Sequence, residues 1–273
     1  MKPDFILAHI SDSHIKRDAK LAYGRVDTVA ALNRAIDRIN DFLPRIDAVL
    51  ISGDLTDFGY HEDCLQLKAL LQRLTVPYYL VPGNHDQREP LREVFSEQPF
   101  PAEGYLNWTL DTACCRVIGL DSLVERKPYG ELAADTLLFL EEQLKQSDKP
   151  TFVSFHHPPI AVGIDHMDVQ NLQNASEVEA IIARYPQVSA VLCGHLHRHV
   201  TANWANTQLI VCPGVSHSVT VDLADKAVPS FSMEPPAMLL HCVFGQQVIS
   251  HSLSLSDFDG PYPFFNPDGS LID

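Results

Sequence analysis

Between Asp12 and His197 lie five short segments rich in metal-ligand residue types. They are Asp12-Ser13-His14, Gly53-Asp54, Gly83-Asn84-His85-Asp86, His156-His157-Pro158 and Gly194-His195-Leu196-His197. Imidazoles, carboxylates and one Asn carbonyl together suit divalent or trivalent transition metals better than calcium or magnesium, which favour all-oxygen shells. In an extended segment, side chains two apart point the same way and neighbours point oppositely. Asp12 and His14 can therefore share one metal, and His195 and His197 can face one cluster. The same alternation admits only one of His156 and His157 and does not choose between them. A lone His after a strand is ordinarily a core or surface residue; five such segments in series are not.

Each segment follows an apolar, strand-like run: Phe5–Ile10, Ala48–Ser52, 78–82, 152–155 and Val188–Cys193. Polar ligands at the carboxyl ends of strands that alternate with helices describe an α/β protein with its site along one sheet edge. After the first strand, Asp27 is placed to cap a helix whose Val29, Leu32, Ile36, Ile39 and Leu43 repeat at three and four, with Pro44 ending it. Leu67, Leu70, Leu71 and Leu74 mark a second helix, and a short third is expected near 91–95. Strands at 105–110 and 115–120 read as an antiparallel pair. Helices are expected at 134–146 and 176–185. Beyond His197 the pattern turns to strands at Val200–Trp204, 208–212, 238–244 and 248–253, while 219–236 has little pattern and reads as a surface loop or subunit contact.

The order D-x-H, G-D, G-N-H-D, H-x-P and G-H-x-H resembles that of the calcineurin-like metallophosphoesterases. Within that superfamily, Ala8-His9-Ile10-Ser11-Asp12, Pro82 to Asp86, His156 to Pro159 and Cys193 to His197 are similar to the bacterial class III phosphodiesterases, which act on cyclic nucleotides and glycerophosphodiesters. The tail, with His251-Ser252-Leu253 and Gly260-Pro261, looks closest to the glycerophosphodiesterase branch. The resemblance implies an α/β four-layer sandwich, two mixed β-sheets flanked by helices, with a C-terminal β-hairpin appendage. With no long linker, internal repeat or low-complexity tract, the chain reads as one domain over 1–273, with roughly 219–273 as the appendage. The resemblance also implies two metal ions per subunit, one held by Asp12, His14, Asp54 and His197, the other by Asp54, Asn84, His156 and His195. A bridging carboxylate fits two cations about 3.5–4 Å apart, the spacing for in-line phosphoryl displacement by a metal-bound hydroxide. His156 is preferred over His157 on the family's H-x-P pattern alone. Iron, manganese, zinc and cobalt all tolerate this ligand set.

Charge and composition narrow the substrates. A net charge of −15 disfavours nucleic-acid polymers and anionic membranes. Locally, two divalent metals would bring +4 and Asp12, Asp54 and a bridging hydroxide −3, leaving about +1, which suits a singly charged phosphodiester. No apolar run approaches the roughly 20 residues that span a bilayer. The amino terminus does not read as a signal peptide, and the six cysteines lack framework spacing. A cytoplasmic protein with free thiols is expected. An exposed edge on the terminal hairpin would favour a homo-oligomer.

Other polar candidates divide into reactive and structural. His85, beside a ligand, should point to the substrate as proton donor or phosphate contact; its alternative is a His held by Asp86 or a carbonyl. Asp57 and Asp86 are expected to cap helices or support ligands. His217 resembles a residue behind the ligands. In the long 158–174 connection, Asp168 or Asn174 would contact a polar alcohol or else hold the loop. Arg17, Arg88 and Arg198 read as solvated charges, and His9, His61, His199, His241 and His251 as structural or surface residues. Only Phe155 lies near the 156–174 loop, so no stacking platform for a nucleobase is apparent. The leading expectation is a dinuclear phosphodiesterase with catalytic Asp54 and His85 and small glycerophosphodiester or cyclic-nucleotide substrates. The alternatives are phosphomonoester or pyrophosphate hydrolysis, and a non-catalytic scaffold.

Overall fold

Strands β1 (Phe5–Ile10) and β2 (Ala48–Ser52) are buried at every position, as strands covered on both faces must be. The computed structural model, which describes residues 2–272, shows what covers them. Helix α1 (Thr28–Asn40) joins β1 to β2, and α2 (His61–Leu71) joins β2 to β3 (Tyr78–Val81). Then come α3 (Arg88–Val94), β4 (Trp108–Asp111), β5 (Arg116–Gly119), α4 (Ala134–Lys145) and β6 (Thr151–Ser154). The one-turn α5 (Asp165–Asp168) and α6 (Ala175–Ile182) lead to β7 (Val188–Cys193), β8 (Val200–Trp204) and β9 (Thr207–Val211). The chain closes with β10 (Ser218–Val219), β11 (Phe231–Ser232), β12 (Ala237–Phe244) and β13 (Gln247–Ser254).

Two mixed sheets result, in the orders β13-β12-β1-β2-β3 and β4-β5-β6-β7-β9-β8. Side-chain alternation sorts the core into layers. On β1, Phe5 and Leu7 face the second sheet and pack with Phe152, Leu192 and Ile210. Ile6, Ala8 and Ile10 point the other way, onto Leu32 and Ile36 of α1 and Leu67 and Leu71 of α2. Across the molecule, Val153 and Val191 pack under Leu140 of α4 and Val178 of α6. Helices, sheet, sheet, helices are the four layers expected. Asp27 caps α1 by accepting the Ala30 N–H at 2.9 Å.

Some elements depart from the periodicity. Helix α1 stops at Asn40 and leaves Leu43 86% exposed, because a residue before proline is biased away from helical backbone. Helix α2 starts at His61, before its leucine stripe, and Leu74 lies beyond its end. The terminal hairpin is present and extends the first sheet, since β12 pairs antiparallel with β1. The patternless 219–236 stretch contains β11, which pairs with β10; two-residue strands are too short to show alternation.

Candidate metal centre

The ligand segments all leave the carboxyl ends of strands. Asp12 and His14 follow β1, Asp54 follows β2, Asn84 follows β3, His156 follows β6, and His195 and His197 follow β7. They converge, but not by strand alternation. Asp12 (φ 56°), His14 (φ 43°), Asp54 (φ 44°), His195 (φ 72°) and His197 (φ 51°) all have left-handed backbone, which non-glycine residues adopt seldom and mostly at functional sites. Tight turns, not extended strands, aim these side chains inward. The alternation that separated His156 from His157 fails likewise, because β6 ends at Ser154. Ring nitrogens of His156, His157 and His195 all lie within 4.8 Å of one another.

Asp54 sits at the middle. Its Oδ2 is 3.6 Å from His14 Nε2 and 3.3 Å from His156 Nε2. On one side, donor atoms of Asp12, His14, Asp54 and His197 lie within 4.8 Å of one another. His197 Nε2 is 3.4 Å from Asp12 Oδ1 and 3.1 Å from His14 Nε2. On the other side, the buried Asn84 Oδ1, His156 Nε2 and His195 Nε2 have no hydrogen-bond partner among the described residues. Buried polar atoms without partners are uncommon and call for an explanation. Neutral imidazole and amide oxygen are the donor set a transition-metal cation satisfies, so the residues fit the metals the motifs imply.

The rings are fixed from behind. His156 Nδ1–H donates to the Ser52 carbonyl at 2.7 Å, and His14 Nδ1–H to Asp57 Oδ1 at 3.1 Å, leaving each Nε2 to face the cluster. Gly53 (φ 97°) makes room for this: a Cβ there would overlap the His156 ring. Asp86 accepts the N–H groups of Leu55, Thr56 and Gly83, at 3.0, 2.9 and 2.9 Å, and so ties the Asp54 and Asn84 loops together. Both acids therefore support ligands.

The remaining candidates separate cleanly. His85 Nδ1–H donates to the Asp57 carbonyl at 2.8 Å, its Nε2 is 4.0 Å from Asp54 Oδ2, and its side chain is 35% exposed. His217 packs its ring 4.5 Å from that of His197. Both line a cavity of about 350 Å³ that His14, Asp54, Asn84, His195 and His197 also line. Asp168 and Asn174 do not line it. Asp168 accepts the Val162 and Gly163 N–H groups, and Asn174 bonds the Leu132 backbone through both its oxygen and its nitrogen. Their roles are the loop-holding ones. Arg88 is not solvated; it is paired with buried Asp121 at 2.7 Å. His9 and His241 are buried and bonded to each other at 3.2 Å.

Sequence reasoning missed two aromatics. Tyr23 and Phe231 line the cavity beside His217, which corrects the expectation that no stacking platform is present. No spacing or motif links these two positions; only the fold brings them together.

Charge within the metal-free cluster is uneven. Burial, then the positive charge of His156, pushes His195 down to about 3, so it is neutral and ready to ligate. Burial also lowers His156, yet the Asp54 carboxylate outweighs it and raises His156 to about 9. Burial lifts Asp12 to about 6 despite the pull of His156, with Asp54 adding to the rise. At pH 7 His156 therefore carries a proton that must leave when Nε2 binds a cation. Metal binding should release protons, and affinity should fall as pH drops from 9 towards 6. Titration calorimetry of manganese in buffers of different ionisation enthalpy measures this; a heat independent of buffer would contradict it.

Comparison with known proteins agrees with this geometry. Residues 5–199 match the family described as calcineurin-like phosphoesterase. The chain is similar to a probable glycerophosphodiester phosphodiesterase of Arcobacter nitrofigilis, 42% identical over 98% of this chain and 100% of that one. A 3′,5′-cyclic adenosine monophosphate phosphodiesterase of Pseudomonas aeruginosa is 29% identical over 76% of this chain and 75% of its own. Among solved structures, a dimetal phosphatase of Danio rerio shares the fold, with TM-score 0.69 at 15% identity over 93% of this chain and 100% of that one. The chain belongs to the calcineurin-like phosphoesterase family, as one of its bacterial class III phosphodiesterases.

Proposed function

We propose that this protein is a dinuclear metal-dependent phosphodiesterase that hydrolyses small phosphodiesters, glycerophosphodiesters first and 3′,5′-cyclic nucleotides second. One observation carries the reading: one buried carboxylate, Asp54, stands between two sets of potential metal donors, 3.6 Å from His14 Nε2 and 3.3 Å from His156 Nε2. In it Asp12, His14, Asp54 and His197 hold one ion, and Asp54, Asn84, His156 and His195 the other. When bound, such a pair supplies Lewis-acid stabilisation and a nucleophile at neutral pH. The donor set accommodates iron, manganese, zinc or cobalt.

The chain itself supplies orientation and a proton. His85 is anchored through Nδ1 to the Asp57 carbonyl, so Nε2 is the nitrogen left for the substrate. Protonated there, it is placed to hand that proton to the leaving alcohol oxygen. Its backbone N–H donates to Asp54 Oδ1 at 2.9 Å, which fixes ring and carboxylate in one frame. Asn84 and His217 complete the wall against which the phosphate rests. A second cavity, about 520 Å³, opens on the far side of Asn84 and His85 and has room for a departing alcohol.

Glycerophosphodiesters come first because of the 42% identical relative; cyclic nucleotides follow from the 29% identical one. Manganese-loaded protein should hydrolyse bis(p-nitrophenyl) phosphate faster than p-nitrophenyl phosphate. The reverse order would favour the phosphomonoesterase reading, and no hydrolysis of either would favour a scaffold. Among the described residues, strand β13 pairs only with β12, and it is largely exposed. We read its free edge as a contact between copies in a single-domain homo-oligomer, which light scattering tests. Six free cysteines fit a cytoplasmic setting. Among the described residues, no helix is long and apolar enough to cross a membrane.

A further inference from the structure

Beside His166, Gln170 and Ser230, the reaction cavity has apolar lining that has no part in the chemistry above. Tyr23, Met167, Val219, Pro229 and Phe231 form it, drawn from three separate stretches of chain. The backbone beneath its two aromatic rings is tied down. Tyr23 is at the tip of a tight loop closed by reciprocal Ala22–Val26 backbone hydrogen bonds of 2.9 Å, with left-handed backbone at φ 51°. Phe231 is fixed by the β10–β11 pairing, opposite Val219 and two residues beyond His217 in that register. The Tyr23 and Phe231 rings are 5.1 Å apart at 33°, and both meet the His217 ring nearly edge-on, at 5.5 and 5.3 Å.

That placement has a size and a shape. His217 is itself 4.5 Å from the His197 ring, so the wall stands one ring beyond the ligands. A phosphate held at the cluster therefore presents an ester substituent to it. Tyr23 remains 56% exposed, and aromatic side chains lining a cavity beside a few convergent polar groups are the usual make-up of a ligand pocket. At 5.1 Å and 33° the two rings lean against each other in an offset stack, which leaves an outer aromatic face for a third ring to continue it. They do not enclose a point on several sides, as a quaternary ammonium would require. A glycerol chain, all hydroxyls, gains little from such a face.

We propose that Tyr23 and Phe231 form a specificity subsite that takes a planar ring, such as a nucleobase or aryl group, carried on the phosphate ester. The inference rests on the diesterase reading only in that the ring belongs to a phosphate ester at the same centre.

Binding of reaction-product analogues tests this without relying on turnover. Adenosine 5′-monophosphate and glycerol 3-phosphate are titrated into manganese-loaded protein by calorimetry. The nucleotide should bind at least about tenfold more tightly, the scale of one aromatic–base stack. Tyr23→Asn, chosen because Asn tolerates left-handed backbone, and Phe231→Leu should each remove most of that advantage and leave glycerol 3-phosphate unchanged. Equal affinities in the wild type, an advantage that survives in both variants, parallel loss of both ligands, or no binding of either would overturn the subsite. The diesterase reading fails separately, if wild-type protein hydrolyses neither cyclic adenosine monophosphate nor glycerophosphoethanolamine while the binding preference still tracks the two rings.

Discussion

Replacing Asp54 by Ala should empty both metal positions together, whereas Asn84→Ala should empty one. The asymmetry follows from position. Asp54 Oδ2 lies within 3.6 Å of His14 Nε2 and 3.3 Å of His156 Nε2, so both donor sets lose a member and the charge between them. Asn84 offers a single uncharged oxygen, without a partner among the described residues, to one set. Turnover of Asp54→Ala should drop by at least about 10³-fold, beyond the loss of a single preorganised electrostatic contact. Prolonged chelation should do the same to the wild type, and added manganese should restore the wild type alone. Metal analysis of the purified variants decides the matter. Two ions retained in Asp54→Ala, or equal loss from both sites in Asn84→Ala, would refute the shared-carboxylate assignment. The Asp54 variant should still fold, because its side chain supports ligand loops rather than any of the three apolar layers.

His85→Ala should lower turnover by roughly 10²–10⁴-fold, the range for loss of a general acid, with metal content close to wild type. His85 meets the centre through its backbone N–H on Asp54, a 4.0 Å approach of Nε2 and an edge-on contact with the His14 ring at 4.7 Å, but it belongs to neither assigned donor set, so both sets survive its removal. The deficit should be large for glycerophosphoethanolamine, whose leaving alcohol needs a proton. It should shrink for bis(p-nitrophenyl) phosphate, whose phenolate leaves without one. Comparable losses on both substrates would make His85 a phosphate-positioning residue instead. His85→Gln adds a check: a neutral side chain of similar reach restores positioning but cannot supply the imidazolium proton.

Much of this centre was legible in the residues, because ligand chemistry is a matter of residue type and order. Asp12, His14, Asp54, Asn84, His156, His195 and His197 were identified as candidates from motifs that each follow an apolar run. Those runs are strands for the plain reason that β-branched and aliphatic residues buried on both faces read as continuous apolar segments. The α/β class followed from the same alternation of strands and helical stripes, and the four layers from the family resemblance. Short-range signals also sufficed for the Asp27 cap, whose partner is three residues away.

What the tertiary structure decided is how those residues meet. Alternation along a strand suggested convergence, yet five of the ligands reach the centre from left-handed turns past the strand ends, a conformation held by long-range contacts such as the His14 N–H on the Asp54 carbonyl and the His195 N–H on the Asp12 carboxylate. The roles of Asp168 and Asn174 were undecidable until the loop was seen to occupy their hydrogen-bonding groups with its own backbone and that of Leu132. Most of all, nothing local joins Tyr23 to Phe231. Sequence order fixes what a segment can offer chemically, but side chains some two hundred residues apart become neighbours only when packed layers bring their loops together.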